Sequence, residues 1–73
     1  MAELKFEITQ KLGVIAQTAM GAKELNMVSW NDRPAKYDIR DWSEDYSQMS
    51  KGLTFTKEEM TSLKKLLNSL KDI

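Results

Sequence analysis

Residues 53–73 read L-T-F-T-K-E-E-M-T-S-L-K-K-L-L-N-S-L-K-D-I, and within them the hydrophobic period changes from that of a strand to that of a helix. Leu53-Thr54-Phe55 alternates apolar and polar side chains and suits a brief strand at about 52–55. Thr56 and Glu59 then stand at capping-box spacing: the threonine hydroxyl takes the amide three residues on, and the glutamate carboxylate reaches back. Met60, Leu63, Leu66, Leu67, Leu70 and Ile73 recur at helical spacing and fill a stripe roughly 140° wide at 100° per residue. Lys57, Glu58, Lys64, Lys65, Asn68 and Lys71 fall mostly opposite, so the pattern predicts a helix over about 57–71.

Upstream of this segment the period is two. Leu4, Phe6 and Ile8 alternate with Glu3, Lys5, Glu7 and Thr9, and the same parity runs through Leu12, Val14 and Ala16, which predicts a long half-buried strand over about 3–16. Gly13 in its middle marks a bulge or bend, hence a curved sheet. Residues 17–22 suit a loop in which Gly21 is able to take a positive φ. A second strand follows over about 23–30, then a turn at Asn31-Asp32-Arg33-Pro34 and a third strand over about 35–42. Four strands and one terminal helix predict an α+β fold: a curved four-stranded antiparallel sheet with a C-terminal helix on a single face. In the third strand Tyr37 and Ile39 share one face, whereas Lys36, Asp38, Arg40 and Trp42 share the other. With the apolar pair toward the helix, Arg40 and Trp42 face outward.

A chain of 73 residues forms one domain, 1–73, and buries too little surface to be robust alone. Without Cys or His it has neither disulfide nor zinc to support it, which leaves self-association. The Cys-free composition fits a reducing, cytoplasmic setting, and no apolar run is long enough for a signal peptide or membrane span. Eleven basic and eleven acidic residues cancel, so any affinity for phosphate must come from segregation of the signs onto different surfaces.

Catalysis finds little here: no His, no Cys, no Gly-rich phosphate loop and no Ser beside an evident base, so the expectation is a protein that is not an enzyme. Asp38, Asp41, Glu44 and Asp45 lack the spacing of a calcium loop and read as solvated, with a metal-dependent nuclease as the remote alternative. An outward cation beside an outward indole is the combination single-stranded nucleic acid requires, the guanidinium for phosphate and the ring for an unpaired base. Trp42 with Arg40, and Trp30 with Arg33 and Lys36, offer it twice. Core or dimer packing is the competing reading of both tryptophans.

Tyr37-Asp38-Ile39-Arg40-Asp41-Trp42, followed by Lys51-Gly52-Leu53-Thr54-Phe55 and the helix start at Thr56-Lys57-Glu58-Glu59, resembles the positive cofactor four family of transcriptional coactivators, most closely its short bacterial members. The resemblance implies a two-fold homodimer paired through its helices, with Met60, Leu63, Leu66, Leu67 and Leu70 at the interface. It implies sheets that present adjoining grooves to single-stranded DNA. It assigns Trp30 the stacking ring near the hairpin, Arg40 the basic residue of the third strand and Lys51 the lysine before glycine. Ser43 stands where animal members carry a second aromatic, so that platform is either displaced onto Trp42 or missing. Lys5, Thr9, Lys11, Lys23, Asn26 and Lys36 complete the expected set, each polar and able to line the open face.

The resulting expectation is sequence-independent binding of single-stranded DNA, with RNA as an alternative partner and no cofactor, metal, membrane or small-molecule substrate. The task lies in transcription, replication or repair, in a transcription-regulating or nucleoid-associated setting. The rival from another class is a protein-interaction module that uses an exposed sheet edge and tryptophan anchors.

Overall fold

The computed structural model describes residues 5–73, so the expected strand start at residue 3 and the place of Leu4 lie outside the described residues. Strands β1 (Phe6–Gln17), β2 (Ala22–Trp30), β3 (Lys36–Trp42) and β4 (Leu53–Phe55) precede helix α1 (Lys57–Ser69). They form one antiparallel sheet in the order β1-β2-β3-β4.

The helix begins where its capping box places it. Thr56 Oγ1 accepts from the Glu59 amide at 3.1 Å, and Glu59 Oε1 accepts from the Thr56 amide at 2.8 Å. It ends at Ser69, short of the expected residue 71. No glycine follows to take a left-handed cap, the Ser69 hydroxyl bonds the Leu66 carbonyl at 2.7 Å, and Leu70 is already extended.

Strand β1 departs most from simple alternation. Its register against β2 shifts between Ile8 and Gln10, between Lys11 and Gly13, and between Val14 and Ala16. Thr9, Leu12 and Ile15 are therefore extra residues, three bulges where one bend near Gly13 was expected. Directly opposed residues share a face, so Phe6, Ile8, Lys11 and Val14 lie with Trp30, Val28, Asn26 and Glu24. Lys11 thus joins the face of Phe6 and Ile8, and Leu12 leaves the inward row, because each extra residue reverses the parity beyond it.

These bulges curl the sheet. Trp42 opposes Ala22 at one end of β2 and Phe6 opposes Trp30 at the other, roughly 26 Å away along a flat strand. Yet the Phe6 and Trp42 ring centroids lie 5.2 Å apart, so this face is concave. The buried side chains are on it: Val28 and Trp42, with Glu24, Asn26 and Asp38.

This distribution corrects the expectation of an open face opposite a helix-covered core. Tyr37, Ile39, Leu25 and Met27 on the convex side are only half-buried, and no residue of α1 is fully buried. A groove of about 420 Å³ separates Ile15, Leu25 and Ile39 from Met60, Leu63 and Leu67. The positive φ open to Gly21 is not used, since no described glycine has one. A Cβ at Gly21 would lie 2.3 Å from the Trp42 carbonyl oxygen, so its role is close approach of backbones.

Candidate nucleic-acid interface

The β2–β3 connection, residues 31–35, opens with a two-residue turn. Asn31 (φ 53°) and Asp32 (φ 62°) take the left-handed conformations that a primed turn demands and that these residue types tolerate, and the Arg33 amide closes on the Trp30 carbonyl at 3.0 Å. Asn31 Oδ1 also accepts from the Lys5 amide at 3.1 Å, tying the turn to the start of β1. Pro34 then steps out of the ladder. The result is a groove of about 250 Å³ lined by Trp30, Arg33, Pro34, Lys36 and Thr54. Trp30 is half-buried, Arg33 and Lys36 are exposed, and among the described residues neither cation forms an ion pair.

Arg40 is placed differently from its expected outward, phosphate-holding position. Its guanidinium grips the Asp38 carboxylate with two 2.7 Å bonds, reaches the Ser50 carbonyl at 3.4 Å and lies 4.4 Å over the Trp30 ring. The cause is Asp38, which is fully buried and needs a charge partner; Thr54 Oγ1 adds a bond at 3.3 Å. Gly52 permits this packing, since a Cβ there would lie 2.4 Å from both Arg40 Cβ and the Ile39 carbonyl oxygen. Arg40 therefore positions Trp30 and occupies one side of its ring.

Trp42 also corrects its expected outward placement. It is 1% exposed, packed between Phe6 at 5.2 Å and Tyr46 at 5.6 Å, and as it stands it offers no ring face to a base. Both Trp42 and Arg40 do occupy the face that alternation gave them, but curvature closes that face over Trp42 and Asp38 and draws Arg40 onto Asp38. Asn26 is likewise enclosed, its Nδ2 donating to Glu24 Oε1 at 3.1 Å.

The remaining expected residues scatter. Lys11 comes to the concave face, its ammonium 4.3 Å over the Tyr46 ring. Lys23 falls on the convex side beside Asp41 at 3.9 Å, Lys5 pairs with Asp32 at 3.7 Å, and Thr9 is a bulge residue whose hydroxyl bonds the Met27 carbonyl at 3.3 Å. Lys51 is exposed in the approach to β4. Asp38, Asp41 and Asp45 each take a separate partner, and the described residues contain no group of three or more side chains suited to a metal ion.

Sequence reasoning missed Pro34 and Thr54, which line the Trp30 groove, and Phe6 and Tyr46, which pack on Trp42. Tyr46 was detectable as a lone aromatic in a polar loop. That loop is built around Ser43, whose backbone meets Gln48 and Tyr46 at 3.0 Å each and whose hydroxyl donates to Asp45 at 2.9 Å. Asp45 Oδ1 also receives the Ser47 hydroxyl at 2.7 Å and the Ser47 amide at 3.0 Å. Led by the Ser47 hydroxyl, these donors lower the Asp45 pKa from 3.8 to about 2.

A protein of Treponema pallidum (strain Nichols), described only as uncharacterized, is 45% identical to this chain over 69 residues, which span 93% of the chain and 81% of that relative. Residues 19–66 match the family model described as Transcriptional Coactivator p15 (PC4), a span running from the β1–β2 loop through the hairpin, Arg40, Gly52 and most of the helix. The chain belongs to the Transcriptional Coactivator p15 (PC4) family.

Proposed function

We propose that this protein is a non-catalytic homodimer that binds single-stranded DNA with little sequence preference, in the cytoplasm, during transcription, replication or repair. Family membership supports nucleic-acid binding in general. The observation that carries the finer reading is the Trp30 groove: a half-buried indole, held on one side by Arg40, with the exposed Arg33 and Lys36 lining the same cleft. Stacking on such a ring tolerates any base, and the flanking cations serve the phosphates.

Self-association is supported by the surface left uncovered. Leu53, Leu66, Leu67 and Leu70 are 65%, 58%, 43% and 45% exposed, and Ile15 is 55% exposed. The interaction-module reading draws on β1, a twelve-residue edge strand with exposed Val14 and Ile15. Its three bulges interrupt the row of amides and carbonyls that an added strand needs, which favours nucleic acid.

Titration of oligothymidine into the protein at two salt concentrations, followed by tryptophan fluorescence, tests the proposal. Quenching that weakens with salt is the expected result. An unchanged signal at micromolar protein overturns it, and a matching oligouridine series measures any preference for RNA.

A further inference from the structure

We infer that Tyr46 is a second nucleobase-stacking residue, with Lys11 as its phosphate partner, an assignment that rests on the single-strand reading above. The ring is held from below: it packs on Trp42 at 5.6 Å, and its hydroxyl donates to both Glu24 carboxylate oxygens at 3.1 and 2.9 Å. The Tyr46 backbone is left-handed (φ 59°), a conformation that a bulky side chain rarely adopts and that glycine or asparagine would take with less strain. The surrounding loop fixes it there through the Ser43 turn and the Asp45 carboxylate. Strain of this kind is found where a side chain must be aimed.

What lies over the ring differs from what lies over Trp30. Arg40 is locked above Trp30 by two bonds to the buried Asp38. Lys11 lies 4.3 Å above Tyr46 on a flexible stem and, among the described residues, forms no ion pair. A base can therefore take the ammonium's place on the ring while the ammonium moves to the adjoining phosphate, retaining both attractions. The Trp30 and Tyr46 rings are linked through Phe6 and Trp42 by successive centroid spacings of 5.9, 5.2 and 5.6 Å, and Lys11 opposes Asn26 on the same concave face. A single strand running along that face meets a ring and a cation at each. The competing role for Tyr46 is a seal over Trp42.

Wild-type protein bound to oligothymidine carrying 5-iodouracil, crosslinked with ultraviolet light and mapped by mass spectrometry, distinguishes the two roles. Adducts are expected at Trp30 and at Tyr46. Adducts at Trp30 with none at Tyr46 overturn this inference alone, whereas absence of any binding overturns the single-strand reading with it. Tyr46→Leu retains an apolar cover for Trp42 but no ring, and should weaken binding roughly five- to 100-fold. Tyr46→Phe keeps the ring but loses the Glu24 bonds that hold it, so its affinity should fall between those of wild type and Tyr46→Leu. A folded Tyr46→Leu that binds at full strength refutes the role, and should that variant unfold, the crosslink decides. Lys11→Gln should reduce the slope of log K on log salt by about 0.7, and an unchanged slope counts against its pairing with phosphate.

Discussion

Replacing Trp30 with alanine separates stacking from charge. Arg40 covers one side of the indole and Phe6 packs against it at 5.9 Å, and the ring also lines the groove of Arg33 and Lys36, where the proposal seats a single base. One stack is worth about 1–3 kcal/mol, so Trp30→Ala should raise the dissociation constant for oligothymidine roughly five- to 150-fold. The exposed cations Arg33 and Lys36 remain, so the salt dependence of the variant should run parallel to that of wild type. Arg33→Ala or Lys36→Ala should do the reverse, lowering the slope of log K on log salt by about 0.7 for each phosphate left without its cation. The Trp30→Ala substitution also removes the surface on which Arg40 rests, worth about 0.5–2 kcal/mol of stability, and leaves the buried Asp38 pair intact. Trp30→Phe keeps a smaller ring in place and should recover most of the affinity. Fluorescence anisotropy of a labelled oligonucleotide at several salt concentrations, with circular dichroism to confirm the fold, makes the measurement. The reasoning is refuted by a folded Trp30→Ala protein of wild-type affinity, or by one whose salt slope changes while its affinity at high salt does not.

Other consequences concern the scaffold. Asp38→Ala strands Arg40 without its buried partner and should cost about 3–5 kcal/mol in urea unfolding; a loss below about 1 kcal/mol would mean the pair is solvated. Gly52→Ala forces a methyl against Arg40 Cβ and the Ile39 carbonyl and should cost about 1–3 kcal/mol, with wild-type stability as the contrary result. Leu67→Asp should convert a dimer to a monomer or unfold the chain in sedimentation experiments, and a persistent dimer would move the interface off the helix. Asp45 has a folded pKa depressed from 3.8 to about 2, so its contribution is present above about pH 4 and disappears as pH falls toward about 2. Near-ultraviolet dichroism of the Tyr46–Trp42 pair should fade over that window, and Asp45→Asn should remove that component of the transition.

The order of elements, the capping box and the hairpin were legible in the sequence because each is a local matter. Thr56 and Glu59 meet within one turn, and Asn31-Asp32 adopts a conformation its own side chains favour. The apolar stripe of α1 was legible for the same reason, since helical spacing needs no knowledge of a partner. Alternation in β3 correctly put Arg40 and Trp42 on one face. It could not tell whether that face was flat and wet or curled and closed, because curvature accumulates along the neighbouring strand.

Tertiary structure decided three things. The bulge at Thr9 reversed the side on which Lys11 falls, since in a period of two every added residue inverts all that follows. The resulting curl brought Phe6, Trp42 and Tyr46 together from three separate segments, making core of an expected platform. It also enclosed Asp38, whose demand for a counter-charge drew Arg40 away from solvent and onto Trp30. Sequence alone established which aromatic and charged groups this chain carries. Which of them still face outward depended on how far the sheet bends, a sum over non-local pairings that no single segment contains.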